Sequence, residues 1–366
     1  MDPIPPTLAR PRVNRQNNRI PDFYGARAPV TGPHHLKETD MTQSLRRRSV
    51  LAFGVGSACF GPALAQSSWP TKPVTCVVPF PAGGGTDAFA RPFTLAFNKF
   101  TGKNLILDYR GGAGGTLGAS VAAKLPADGY HCFMGAVHHT IAPSMYPRLD
   151  YDIERDFVPL ALMATVPYVL VVNPKNIAAN SLKEFLELIK KSPGRFNYGS
   201  AGSGTAHHMA GELFKLQTQT FITHIPYRGT GPALQDLIAG NVDMMFDGLG
   251  SSAQHIRAGR IKPIMVAGPQ RNPSFPDIPC AGELGMKDYT VSTWYGMWVP
   301  KGTPANIQAE FIDLIRKSRD MPEIKTAWAA NGAEFPNLTG AQYGEFISAE
   351  VKRWATVVKA SGAKLD

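Results

Sequence analysis

Three short glycine-rich turns bring together residue types suited to holding an anion. They read P-F-P-A-G-G-G-T-D at 79–87, Y-R-G-G-A-G-G-T-L-G at 109–118 and Y-G-S-A-G-S-G-T-A-H-H at 198–208. Each follows an apolar run and opens a helical pattern. The first turn of a helix leaves its N–H groups without intrahelical partners, and the helix dipole concentrates partial positive charge there. Glycine also serves simply to make tight turns in an α/β fold. Repetition of the same grammar favours a cleft for a small carboxylate or phosphate. Backbone amides and hydroxyls can satisfy the lone pairs of a carboxylate without a buried cation. Gly84, Gly85, Thr86 and Asp87 would form one such cradle. The Asp87 side chain has two readings, a cap on its own helix or a ligand contact.

Two histidine pairs stand beside these turns. His138 and His139 are read as ending a strand, and His207 and His208 as beginning a helix, so that both pairs can face the cleft. Adjacent histidines cannot share one face of a strand, and neither pair has the i, i+4 spacing that places two metal ligands on one helical face. Tyr227, Arg228, Gly229 and Thr230 form a further loop near the mouth, with Arg228 either reaching the ligand or lying on the surface. Asp247 follows an apolar run and either meets a donor on the ligand or caps a turn.

Enzymatic signatures are missing from the sequence. Gly112, Gly114 and Gly118 lack the third-glycine spacing of a dinucleotide fingerprint, and there is no P-loop lysine, G-x-S-x-G elbow or H-E-x-x-H. The expectation is a binding protein without catalysis, metal or cofactor.

The elements that must position these loops alternate. Residues 74–80 read as a strand, 87–100 as a helix with Phe89, Phe93, Phe97 and Phe100 at helical spacing, 105–109 as a strand, 118–125 as a helix and 130–135 as a strand. This is a βαβαβ unit on a parallel sheet. After an apolar run at 168–172 the pattern restarts. Ser181 and Glu184 form a capping box for a helix through 191, followed by a strand at 196–198, a helix at 206–216 and a strand at 242–246. Two final helices start at Thr303-Pro304, read as N-cap and N1, and near Thr339.

The start of the chain reads as a targeting segment. Residues 41–65 have a basic start at 46–48, an apolar stretch from Val50 and Ala63-Leu64-Ala65 as a cleavage site, which describes an export signal. Residues 1–40 have no hydrophobic period and read as a disordered upstream extension, with Met41 the natural start. The route, general secretion or twin-arginine export, stays open. The 366-residue chain has 38 basic and 28 acidic residues, of which 29 and 24 follow Ala65. That mild positive balance, without a lysine and arginine run interleaved with aromatics, does not describe a nucleic-acid surface and suits steering of small anions. Cys76, Cys132 and Cys280 have no metal spacing, and a disulfide between two of them stays open in an oxidising compartment.

An ordered series of motifs spans 69–362: W-P-x-K-P-V, P-F-P-A-G-G-G-T-D-x-x-A-R, G-G-A-G-G-T-L-G, A-D-G-Y, G-S-A-G-S-G-T-x-H-H-M-A-G-E-L-F, I-P-Y-R-G-T-G-P-A and G-N-V-D-M-M-F-D. The series resembles the extracytoplasmic solute-binding proteins of tripartite tricarboxylate transporters, the Bug receptors. That resemblance implies an α/β, two-lobed periplasmic-binding-protein fold of the Venus-flytrap, type II-like kind with two interlobe crossings, near 168–173 and 293–300. Lobe one would then be 66–170 with 293–366, and lobe two 171–292. It implies a monomeric periplasmic protein that binds one organic carboxylate and passes it to membrane permease subunits, with the loaded protein signalling to a sensor kinase as the alternative. The first and third glycine loops clamp the carboxylate in the family. Ser200, Ala201, Gly202, Ser203, Gly204 and Thr205 occupy the third loop here, Ser203 standing where many relatives carry Asn. His139 and His208 match recurring family histidines, whereas His138 and His207 are less usual and are read as tuning specificity.

Overall fold

A computed structural model describes residues 69–361. The export signal and the extension before it lie outside the described residues. The elements run β1 (Val74–Val78), α1 (Gly85–Thr101), β2 (Leu105–Tyr109), a 3-10 turn (Ala113–Gly115), α2 (Thr116–Ala123), β3 (His131–Ala136), α3 (His138–Met145) and β4 (Phe157–Val172). They continue as α4 (Leu182–Lys191), β5 (Asn197–Ser200), α5 (Ala206–Thr218), β6 (Thr223–Pro226), α6 (Thr230–Ala239), β7 (Met244–Gly248), α7 (Leu249–Arg257), β8 (Lys262–Val266), β9 (Ser292–Pro300), α8 (Ala305–Asp320), α9 (Pro322–Ala329) and α10 (Gly340–Ser361).

Local signals explain most of these elements. Ser181 accepts the Glu184 N–H at 3.2 Å, and Glu184 reaches back to the Asn180 N–H at 2.7 Å, so both ends of the box at the head of α4 are satisfied. Helix α1 buries Phe89, Phe93, Ala96 and Phe97, each phenyl contributing about 1.5–3 kcal/mol relative to exposure. Phe100, expected on the same stripe, is 41% exposed at the end of the helix.

Three expectations need correction. His138 and His139 open α3 and do not end a strand. Three helices close the chain, not two, because α9 lies between α8 and α10. Pro304 is the N-cap of α8, and Thr303 precedes it with its hydroxyl donated to the Pro300 carbonyl at 2.8 Å.

One strand ties the sheet together. The order is β2-β1-β3-β9-β4-β7-β5-β6, with β8 also paired to β4. Strands β1, β2 and β3 are parallel, as are β5, β6 and β7. The first part of β4 pairs antiparallel with β9, from Phe157 opposite Pro300 to Pro167 opposite Ser292. From Tyr168 opposite Gly248 onward its partners are β7 and β8. Apolar cores lie on both faces of the sheet, one with α1 and α8 and the other with α5 and α10. Buried Glu350 of α10 accepts the indole N–H groups of Trp294 at 2.9 Å and Trp354 at 3.2 Å, which fixes α10 against β9. Cys76 and Cys132 face each other in register on β1 and β3 as buried free thiols, and Cys280 is also free. Among the described residues, no helix is long and apolar enough to cross a membrane.

Candidate functional site

Helix α1 begins at Gly85 because Gly84 holds an extended conformation as its N-cap without a side-chain cap. The loop before it is fastened from below. Asp87 accepts the Gly83 N–H at 2.9 Å, the Tyr109 hydroxyl at 2.5 Å and Arg91 Nη2 at 2.9 Å. Its carboxylate is therefore turned to the loop and to β2, and burial together with this bond pushes the Tyr109 hydroxyl up to about 12. Gly85 itself lies against the Tyr295 phenol of β9, leaving no space for a Cβ. Thr86 is buried beside it.

The other loops close on this one. Gly84 faces Thr230 and Gly231 at the start of α6, and the second loop brings Gly114 against Tyr146 and the Ser203 carbonyl. Tyr146 donates to that carbonyl at 3.1 Å. Gly204 adopts a φ of +76° with Met145 and Tyr146 packed about it, a conformation that a side chain at this position would strain. The third loop braces itself internally. Thr205 Oγ1 donates to the Gly202 carbonyl at 2.7 Å, and Ser200 Oγ accepts the Gly202 N–H at 3.0 Å while lying 2.6 Å from His224 Nε2. His208 Nδ1 accepts the Gly204 N–H at 3.2 Å, and its ring stacks on His224 at 4.1 Å. Ala201 is buried.

A buried polar cluster lies at the meeting of these loops. Asp247, at the end of β7, accepts the hydroxyls of Ser251 at 2.7 Å and Ser252 at 2.5 Å. His207 Nε2 is 3.0 Å from Asp247 Oδ1 and 3.2 Å from Thr230 Oγ1, and the acceptor-only carboxylate places a proton on that nitrogen. Its Nδ1 faces the Tyr168 hydroxyl at 3.5 Å. Burial, with added repulsion from Asp247, raises both Tyr168 and Tyr295 above the ordinary phenol range. His139 Nδ1 pairs with the Tyr151 hydroxyl at 3.1 Å, and burial lowers the imidazole to about 3. His138 is buried with neither ring nitrogen partnered, and burial first, then His139 and His207, lowers it well below the usual range.

The contacts thus bring together the N-termini of α1, α2, α3, α5, α6 and α7: Gly84 with Thr230, Gly114 with Thr205, Gly115 with His139, His207 with Thr230 and with Asp247. No lysine or arginine is buried among the described residues. Partial positive charge from aligned helices is therefore the electrostatic resource of the junction. Of the residues singled out in the sequence, Gly84, Gly85, Thr86, Ser203, Gly204, Thr205 and Asp247 meet there. Others are turned elsewhere. Arg228 is exposed, and the Tyr227 hydroxyl donates to Asp236 at 2.6 Å. Asp87, Ser200 and His208 act inside their own loops. Thr230 stood in the loop expected near the mouth, whereas Tyr168, Tyr295 and Tyr146 were not among the candidates. Their signal was slight: the two tyrosines lie in the segments expected to cross between lobes.

The chain is similar to known proteins in sequence and in fold. The family model described as tripartite tricarboxylate transporter family receptor matches residues 89–363. A protein from the tcbD-tcbE intergenic region of Pseudomonas sp. strain P51 is 33% identical over 89% of this chain and 97% of its own length. Protein BugT of Bordetella pertussis is 33% identical over 87% of this chain and 98% of its own. Among solved structures, periplasmic binding protein BugD aligns at 31% identity with a TM-score of 0.78, over 81% of this chain and all of its own. R. palustris Rpa4515 with adipate gives 31% and 0.78 over 81% of this chain and all of its own, and MatC of Rhodopseudomonas palustris with bound malate gives 32% and 0.75 over 79% and all of its own. Taken with the two-lobed periplasmic-binding-protein architecture, these matches mean that the chain belongs to the receptor family of tripartite tricarboxylate transporters.

Proposed function

We propose that this protein captures one small organic carboxylate between two lobes, 66–170 with 293–366 and 171–292, and delivers it to the permease of a tripartite transporter. The observation that carries the reading is the convergence of helix N-termini around a junction without a buried cation. Unpaired N–H groups at Gly85 and Thr86, and at the start of α5, supply donors for the two oxygens of a carboxylate. Relatives described with adipate and with malate support this ligand class. A binding role needs no chemistry from Asp247, His139, His207 or His208, whose bonds serve to order the junction. Export to the periplasm, with cleavage after Ala65, completes the reading.

Native mass spectrometry of gently purified protein, followed by thermal-shift screening of a carboxylate panel, tests it. A ligand at 100 times its Kd adds about 2.7 kcal/mol of apparent stability, a shift large enough to see. A panel of mono-, di- and tricarboxylates that leaves the melting curve unchanged, with no acid co-purified, would contradict the reading.

A further inference from the structure

At the junction, both ring nitrogens of His138 are without a hydrogen-bond partner. The residue is 4% exposed. Its ring meets the Phe80 ring edge-on at 4.6 Å. Phe80 is also the ring approached by Gly115 of the second loop and Gly229 of the fourth, so the His138 ring lies where the loops converge. Burial and the neighbouring His139 and His207 keep the imidazole neutral. A neutral imidazole offers one donor and one acceptor.

The side-chain donors of this corner already serve a carboxylate of the protein. The Asp247 carboxylate takes the hydroxyls at the head of α7 and the His207 N–H, while Thr230 at the head of α6 faces the same nitrogen. A second ligand carboxylate here would be placed near Asp247 without a buried lysine or arginine to offset it.

We propose that His138, positioned against Phe80 and His139, recognises the end of the ligand opposite its carboxylate, and that this end is a hydroxyl group and not a second carboxylate. The proposal rests on the reading that helix N-termini hold the first carboxylate. A hydroxyl donates and accepts at once, which matches the paired capacity of the neutral ring. His138 is in this sense a specificity residue.

Matched pairs of acids provide the test: succinate against 4-hydroxybutyrate, glutarate against 5-hydroxypentanoate, adipate against 6-hydroxyhexanoate, and terephthalate against 4-hydroxybenzoate. Thermal shift ranks them and calorimetry measures each pair that binds. The expected result is a preference of at least about tenfold for the hydroxy acid in the best-bound pair. In His138→Phe, which retains a ring against Phe80, that preference should vanish through loss of hydroxy-acid affinity while the diacid changes little. Circular dichroism and melting confirm the fold, and His138→Gln, which keeps a donor and an acceptor, should retain part of the preference. If diacids bind equally or more tightly, the His138 proposal is overturned while the carboxylate reading stands. If no acid of either kind binds, both fall.

Discussion

Gly85 at the head of α1 and Tyr295 of β9 touch so closely that a Cβ at position 85 would overlap the phenol oxygen. Tyr295 cannot yield freely, since its ring stacks on Phe89 at 4.7 Å and is buried. Gly85→Ala should therefore cost about 1–3 kcal/mol of stability through overpacking. The same change in a Tyr295→Leu background should cost clearly less, the non-additivity expected of residues in contact. Urea denaturation of the four proteins measures the cycle, and equal costs in both backgrounds would show that the two do not press on each other.

Asp87 fastens the first loop through Gly83 and Tyr109. Asp87→Ala leaves the Gly83 N–H and the Tyr109 hydroxyl without their acceptor, which should cost about 1–3 kcal/mol. Acid binding should weaken as the loop loosens. Arg91→Ala should change stability by less than about 1 kcal/mol, because its guanidinium is 62% exposed and screened by solvent. Urea melts and calorimetry on both variants check the contrast; an equal loss for Arg91→Ala would assign the loop's order to the ion pair.

Acid should destabilise the fold through its buried histidines. Burial lowers His139 from 6.5 to about 3, so the unfolded chain takes up a proton that the folded chain refuses. Stability is full above pH 6.5 and falls as pH drops through that window, by about 2 kcal/mol from this residue between pH 7 and pH 5. His138, lowered in the same direction, adds to the slope. His139→Phe should shallow the dependence of urea-derived stability on pH by about one proton; an unchanged slope would mean that His139 is protonated within the fold.

Where the governing interactions are local, the fold was legible in the sequence. The strand at 105–109 and the helix capped by Ser181 depend on neighbours within a few residues, and both stand as read. The pair at 138–139 misled because it follows an apolar strand, yet α3 starts at His138 and carries Pro143 inside it. The first half of β4 escaped notice because a strand buried on both faces lacks alternation. The loop residues of the candidate site were visible through their glycines. Tyr168 and Tyr295 were not, since nothing in the residues around either one reports which loop it will meet.

The position of the ligand carboxylate in a crystal of the complex is the most direct measurement. With the acid that co-purifies, or the best-bound member of the panel, the carboxylate oxygens should lie about 3 Å from N–H groups at the head of α1, Gly85 and Thr86, and from those at the head of α5, Ala206 and His207. Arg228 should remain in solvent. A carboxylate paired with Arg228, or bound away from the convergent helix N-termini, would contradict the central claim.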